Sequence, residues 1–454
     1  MIFHKDEITK LEHHYAGENN EIVMLYGDRF SDLSSTLTSF LGNKPFFYYK
    51  ARNCSPKLQL QFFYDEIRED LPKGTSINVR YSDIISAMLS VPVKKRIIVV
   101  DEFQYIVKSE PEFMDELIRC IHNKWNNQAV LFILSSTQEN WINKYLIEEL
   151  KEKAYEIDSI IHLKNPDYNT VCGLYKGMSM TDRIMMYSVF GSSPLYLKNI
   201  NPEISFNENI YKNVLTLGSF FYSFGMNCLP EELREHSVYN TILQAMASGR
   251  KKLNDIYKLT GFDRAKISVY LKNLIDLSLV EKIESFDTPG KENTQKGLYQ
   301  ITDPFIRFWF CFVYPHYSKL KLYSPEKFYK KYIEPDIRSF CESTFIKICE
   351  EYMLMESRNN RLDFHITKIG SWFGKVGNID IIAQDDTGHT ICCMCYFSRT
   401  KMSYSDYEWN KYCISQAMIK CDRLYLFSPS SFDDKLLNEG SMNENLYLKE
   451  GDMF

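Results

Sequence analysis

The sequence predicts a multidomain α/β protein, and three observations lead to that class. At 454 residues the chain exceeds what one hydrophobic core usually holds, so two to four domains of roughly 100 to 200 residues are expected. In the first 200 residues, short apolar runs alternate with stretches of helical spacing. Near the carboxyl end, after a mainly helical middle, strand-like runs return as NIDIIAQ and HTICCMCYF.

The elements follow in order. EIVMLYG (21–27) is an apolar run ending in glycine, a helix-compatible stretch comes next, and KPFFYYKAR (44–52) reads as a second strand. Helical spacing resumes in LQLQFFYDEI and YSDIISAMLSV. KKRIIVVDEFQYIV (94–107) carries a β-branched run that ends in two carboxylates, as a strand buried on both faces of a parallel sheet would. QAVLFILSSTQENW (128–141) repeats the plan with a Ser-Ser-Thr edge. Strands alternating with helices predict a doubly wound sheet whose carboxyl ends form a ligand crevice.

Residues 238–284 have the rhythm of three helices. LNDIYKLTG closes on Gly261, and Asp263 caps a helix of about 264–277 whose inward stripe is Ile267, Leu271, Leu274 and Leu277. Arg264, Lys266, Lys272 and Asn273 fall outside that stripe. VEKIESF, a Pro-Gly-containing loop and KGLYQI predict a hairpin. The runs NIDIIAQ and HTICCMCYF are joined by the tight turn Asp385-Asp386-Thr387-Gly388.

Composition narrows the function classes. A net charge of −5 gives no whole-protein attraction to nucleic acid, so such binding would need a local basic face. No apolar run approaches the roughly 20 residues of a membrane helix, and MIFHKDEITKLEHHY lacks the apolar core of a signal peptide, which predicts a cytoplasmic protein with no membrane partner. The 12 cysteines include no CxxC pair, and the cluster Cys392, Cys393 and Cys395 lies on an apolar run, so reduced buried thiols are expected rather than bridges or metal ligands.

The strand ends carry the chemistry. In a P-loop ATPase the first holds the phosphate loop, the second an Asp for Mg²⁺ and a Glu for the attacking water, and the third a polar sensor of the γ-phosphate. Asp101 and Glu102 fit the second role, and Ser135, Ser136 and Thr137 the third. An isolated Asp-Glu after an apolar strand is more simply a solvated strand end. The stretch LYGDRFSDLSSTL (25–37) begins like a phosphate loop but lacks its second glycine and its lysine.

IIVVDEFQYIV, MIFHKDEITKLEHHY, FGSSPLYLKNI (190–200), QKGLYQITDPFIRFWFCFVYP (295–315) and IGSWFGKVGNIDIIA together resemble a family of archaeal and bacterial AAA-type ATPases, in which a winged helix and a restriction-endonuclease-like domain follow the ATPase core. The resemblance implies a P-loop NTPase-like domain over 1–165, a helical lid segment over 166–230, a winged helix over 231–315 and a nuclease-like domain over 316–454. It implies ATP and Mg²⁺ as the family's cofactors. Laid on the family's motif, Gly27 matches the first glycine, Asp32 the second, Leu33 the lysine and Ser34 the magnesium-binding hydroxyl, while Ser136 takes the sensor edge. Asp101 and Glu102 then become a vestigial Walker B pair.

An inward Asp32 would oppose phosphate by on the order of 4 kcal/mol at an effective dielectric near 20. With the lysine also lost, nucleotide binding should fall by several powers of ten, so no tightly bound cofactor and no ATP turnover are expected. In the alternative, Arg29, Lys44 or Lys50 replaces the missing cation.

The resemblance also implies a nuclease site with an Asp on one strand and Glu-x-Lys on the next. Asp380 matches the first, but Met394-Cys395-Tyr396 stands where relatives carry Glu-Cys-Lys. A vestigial centre without metal is expected, because a single carboxylate seldom holds Mg²⁺. Glu342, Lys401 and Glu408 are the groups that could replace the missing ones in a migrated nuclease centre. The winged helix offers Arg264, Lys266 and Lys272, with Arg250, Lys251 and Lys252, to DNA phosphates, or serves as a protein-contact module. The resulting expectation is a catalytically silent binding or scaffold protein acting on DNA or a protein partner, as a monomer or dimer rather than a ring.

Overall fold

A computed structural model describes residues 4–71, 80–89, 95–122, 129–230, 233–287, 297–362, 364–398 and 401–451. The chain forms two units, one of residues 1–165 with 193–198 and 276–278, the other of residues 166–192, 199–275 and 279–454. The expected α/β class holds, with a parallel sheet in the first unit and a mixed sheet near the carboxyl end.

The first unit is built on strands β1 (Glu21–Gly27), β2 (Phe46–Lys50), β3 (Lys95–Asp101), β4 (Ala129–Ser136) and β5 (Ser159–Leu163), in the spatial order β2-β3-β4-β1-β5. Every pairing is parallel. Alternation along the strands divides the core. Ile22, Met24, Ile98, Val100, Phe132 and Leu134 face helices Pro56–Ile67, Tyr81–Leu89 and Phe113–His122. Val23, Leu25, Ile97, Val99, Leu131 and Ile133 face helices Lys5–Ala16 and Leu33–Leu41. Burial on both faces is why these strands read as unbroken apolar runs. At the start of β3, the buried Lys95 ammonium donates to the carbonyls of His14 (2.7 Å) and Gly17 (2.5 Å), satisfying acceptors that helix Lys5–Ala16 leaves open at its end.

In the second unit, helices His236–Ala247, Leu253–Thr260 and Arg264–Asp276 precede an antiparallel hairpin of β6 (Val280–Ile283) and β7 (Leu298–Ile301). Gly261 takes the left-handed conformation (φ +72°) that ends the middle helix, and the Asp263 carboxylate accepts the Lys266 N–H at 2.8 Å. The Pro-Gly-containing loop expected in this hairpin falls on 288–296, outside the described residues. Next, Asp303 caps helix Pro304–Phe308 by accepting the Ile306 N–H at 2.6 Å.

A mixed sheet follows, made of β8 (Lys368–Phe373), β9 (Asn378–Gln384), β10 (Thr390–Cys395), β12 (Arg423–Ser428) and β14 (Leu446–Glu450); the two-residue strands β11 (Lys401–Met402) and β13 (Ser431–Phe432) pair beside it. Strands β8, β9 and β10 run antiparallel, whereas β12 and β14 join in parallel. One face packs on the 22-residue helix Ile337–Arg358 through Phe345–Phe397 and Tyr352–Phe427 ring contacts. The other packs Cys392, Met394 and Leu426 against Tyr407 and Ile414 of helix Tyr404–Ala417.

Gly225 lies against the buried indole of Trp309, where an added Cβ would overlap the ring. Gly225→Ala is expected to destabilise the second unit by about 1–3 kcal/mol, the usual range for overpacking, read as a lower midpoint in urea with an unchanged slope.

Candidate functional site

Register brings the predicted residues of the first unit to one edge of its sheet. Lys50 sits beside Asp101, Asp101 beside Ser135, Ser136 beside Tyr26 and Gly27 beside Leu163. All are at the carboxyl ends of parallel strands, the crevice position of an open α/β sheet.

The Asp101 carboxylate is buried and fully engaged. One oxygen accepts the Ser135 hydroxyl at 2.7 Å and the Glu102 N–H at 3.1 Å; the other accepts the Tyr48 hydroxyl at 2.7 Å and lies 3.2 Å from the Lys50 ammonium. Burial and the Asp101 charge push the Tyr48 hydroxyl far above the ordinary tyrosine range, so it remains a donor. Glu102 adopts a left-handed backbone (φ 55°), uncommon for a residue with a side chain. Its carboxylate accepts from the Thr137 hydroxyl (2.7 Å), the Thr137 N–H (3.2 Å) and Gln104 (2.7 Å), with Lys50 at 3.9 Å. The Ser136 hydroxyl accepts the Gln138 N–H at 3.1 Å.

The loop after β1 closes on itself. Its Asp28 carboxylate accepts the Phe30 N–H at 2.8 Å and the Asn165 side-chain amide at 2.7 Å, while the Asp28 carbonyl accepts the Ser31 N–H and hydroxyl. Burial raises the Asp28 pKa against the lowering effect of these N–H donors. Gly27 is required sterically, since a Cβ there would lie 2.5 Å from the Ser31 hydroxyl and 2.9 Å from the Leu163 carbonyl. Asp32, in left-handed backbone, forms an ion pair with Lys198, which also reaches Ser35 at 3.0 Å. Leu33 is buried in the core beneath the sheet, and Ser34 is exposed.

Asp28 and Lys198 escaped sequence reasoning. Lys198 meets its partner across 166 positions, with no local pattern to mark it. Asp28 could have been found, as it stands directly after the glycine of the loop. Of the lysines proposed as replacement cations, Lys50 rests on Asp101, whereas Lys44 pairs with Glu12 at 2.8 Å.

The basic residues of the three-helix segment are divided. The Arg264 guanidinium donates to Asn254 at 2.7 Å and lies 4.4 Å from the Tyr257 ring centre; Lys266 is 3.8 Å from Glu235 and lies over Phe262. Asn273, expected on the outside, donates to the Tyr239 hydroxyl at 2.8 Å. Lys272, Arg250 and Lys252 are exposed. Lys251 instead turns into a cleft, where burial, then Arg307 and Lys347, lower its pKa.

On the mixed sheet, the Asp380 carboxylate accepts the Cys395 N–H at 2.9 Å. The Glu342 carboxylate accepts the N–H groups of Phe397 and Ser398 at 3.3 and 2.9 Å. Met394 is buried, and the Tyr396 hydroxyl donates to Asn410 at 3.0 Å on the opposite face. Lys401 is exposed and Glu408 pairs with Lys411 at 3.4 Å. Among the described residues no three His, Cys, Asp or Glu side chains gather as metal ligands, and all 12 cysteines are free thiols.

Comparison with known proteins gives limited company. The family DUF234, described as archaea bacterial proteins of unknown function, matches residues 309–406. An uncharacterized protein of Methanocaldococcus jannaschii is 24% identical over 393 residues, 85% of this chain and 84% of its own length. Among solved structures, the chain is similar to a Walker-type ATPase of Pyrococcus abyssi (16% identity, 68% of this chain, 96% of that one, TM-score 0.48). It is also similar to the ORC2 protein of Aeropyrum pernix, solved in ADPNP and ADP complexes (13% identity, 71% and 95%, TM-score 0.39). No helix among the described residues is long and apolar enough to cross a membrane.

Burial, reinforced by the Glu342 charge and opposed by the Cys395 N–H, pushes Asp380 up to about 7. Its unfolded value is about 3.9, so the stability associated with this group is complete below about pH 4 and is lost as pH rises towards about 7. Asp380→Asn keeps an acceptor for the Cys395 N–H and removes the titration. Thermal melts between pH 5 and 8 should show the wild type falling by a few degrees relative to this variant.

Proposed function

We propose that this chain is a catalytically degenerate relative of AAA-type ATPases that works as a binding or scaffold protein without nucleotide turnover. The observation that carries the reading is the Asp28 carboxylate inside the loop after β1, holding the Phe30 N–H that a phosphate loop would offer to its ligand. An incoming phosphate would meet this anion as well as Asp32, and would find Lys198 and Lys50 already paired. In this reading Asp101 and Glu102 are kept for the sheet, and Asp380 for the packing of the second unit, where Met394 and Tyr396 occupy the places of a nuclease's Glu and Lys.

The three helices and hairpin of 236–301 act in this reading as a winged helix that contacts protein. Leu259 and Val269 are 55% and 58% exposed on two of its helices, while Arg264 and Lys266 are engaged internally. A module reading DNA phosphates would instead hold those cations free.

Titration calorimetry of ATP with Mg²⁺ into the purified chain is expected to show no binding at micromolar to millimolar concentration. ATPase activity abolished by Glu102→Gln would sink the reading. Micromolar binding lost in Lys198→Ala would favour a divergent ATP site in which Lys198, brought to the loop from far along the chain, replaces the missing lysine.

Duplex DNA is expected to bind weakly if at all. A binding constant that falls steeply with salt, and whose salt slope is reduced in Lys272→Ala, would turn the assignment from protein to DNA.

A further inference from the structure

The second unit contains a cleft of about 630 Å³, a size typical of small-molecule sites. Two cations line it, Lys251 and Arg307. The Arg307 guanidinium is held by the hydroxyls of Ser343 and Thr344, the latter at 3.0 Å, and lies 4.0 Å from the centre of the Phe340 ring. Among the described residues neither cation has a carboxylate partner. Arg307 keeps N–H donors beyond the two that these hydroxyls use, in the planar fork suited to an oxyanion.

Solvent reaches part of Arg307 from the cleft, yet protein surrounds enough of it that burial lowers its pKa to about 10. Lys251 is lowered in the same way, by burial first and by Arg307 next. Two partly desolvated cations lining one cleft, neither ion-paired with a carboxylate among the described residues, are costly. An anion that met both would relieve that cost, and charge-assisted contacts with a guanidinium are among the strong ones.

We propose that this cleft binds a singly phosphorylated small molecule, with Arg307 and Lys251 on its phosphate. Two cations match a dianion better than a monocarboxylate. Asp336 and Glu342 line the same cleft; they would repel a polyanion such as nucleic acid but accept hydrogen bonds from hydroxyl or amino groups on a small ligand. The site is separate from the edge discussed above and does not depend on whether that edge binds nucleotide.

The test is calorimetry with the full chain, using inorganic phosphate and ribose 5-phosphate as probes. Both are expected to bind, ribose 5-phosphate more tightly, and each at least tenfold more weakly to Lys251→Met and Arg307→Gln. Arg307 also holds Ser343 and Thr344, so if Arg307→Gln fails to fold the Lys251→Met result decides. Absence of binding by either probe at tens of millimolar, or unchanged affinity in a folded variant, overturns the proposal. Displacement of phosphate by acetate at equal concentration overturns the phosphate class, and displacement by a short DNA duplex through the same two residues overturns the small-molecule class.

Discussion

The first unit depends on satisfying one buried carboxylate. Asp101 ends strand β3, and its partners come from both neighbours: Tyr48 and Lys50 from β2, and Ser135 from β4. An isolated ionised carboxylate in the interior would cost far more than the sheet could offset. Supplied with three side chains and a backbone N–H, the same group ties the carboxyl edge together. Breaking a buried pair by removing one partner typically costs about 3–5 kcal/mol, so the edge constrains the identities of its neighbours as strongly as the core does.

Glu102 extends this pattern to the next position, and the loop after β1 repeats it. Asp28 draws in the Phe30 N–H and Asn165, Asp32 draws in Lys198, and Lys50 spans Asp101 and Glu102. Each carboxylate of the edge therefore has an internal donor or cation. These contacts reach from Asp28 to Lys198, with two ammonium groups, Lys50 and Lys198, and neutral donors shared among the four carboxylates.

Strands β1, β3 and β4 were legible because burial on both faces leaves an unmistakable apolar run, and IIVV before Asp-Glu marks the element and its carboxyl end, whereas β5 (Ser159–Leu163), with Ile160 exposed, carries no such run. The three helices of 236–276 were legible through Gly261 and Asp263, which do locally what their residue types allow. The partners of the edge were not. Lys198 reaches Asp32 from a segment far along the chain, and nothing in YLKNI distinguishes it from a solvated lysine. Lys251 belongs to a run of three basic residues that looks uniform in sequence, yet the turn after helix His236–Ala247 sends only that one into the cleft. Helical and strand periodicity assign a side chain to a face; in a turn no such period exists, and direction is set by tertiary packing.

The two units treat buried charge differently, and the difference points to where ligand chemistry would lie. In the first, opposite charges are paired at the sheet edge. In the second, Asp380 is neutralised in part by a raised pKa, and Arg307 and Lys251 line a cleft without an ion-pair partner among the described residues, although Asp336 and Glu342 line it too. Desolvated groups with perturbed pKa values are features that binding sites display. Packing accounts for Asp380, whose acceptor closes the Cys395 N–H beneath helix Ile337–Arg358. It accounts less well for two cations brought together beside a 630 Å³ space, since an uncharged pair would fill the same wall at lower cost. An anion entering the cleft would meet both.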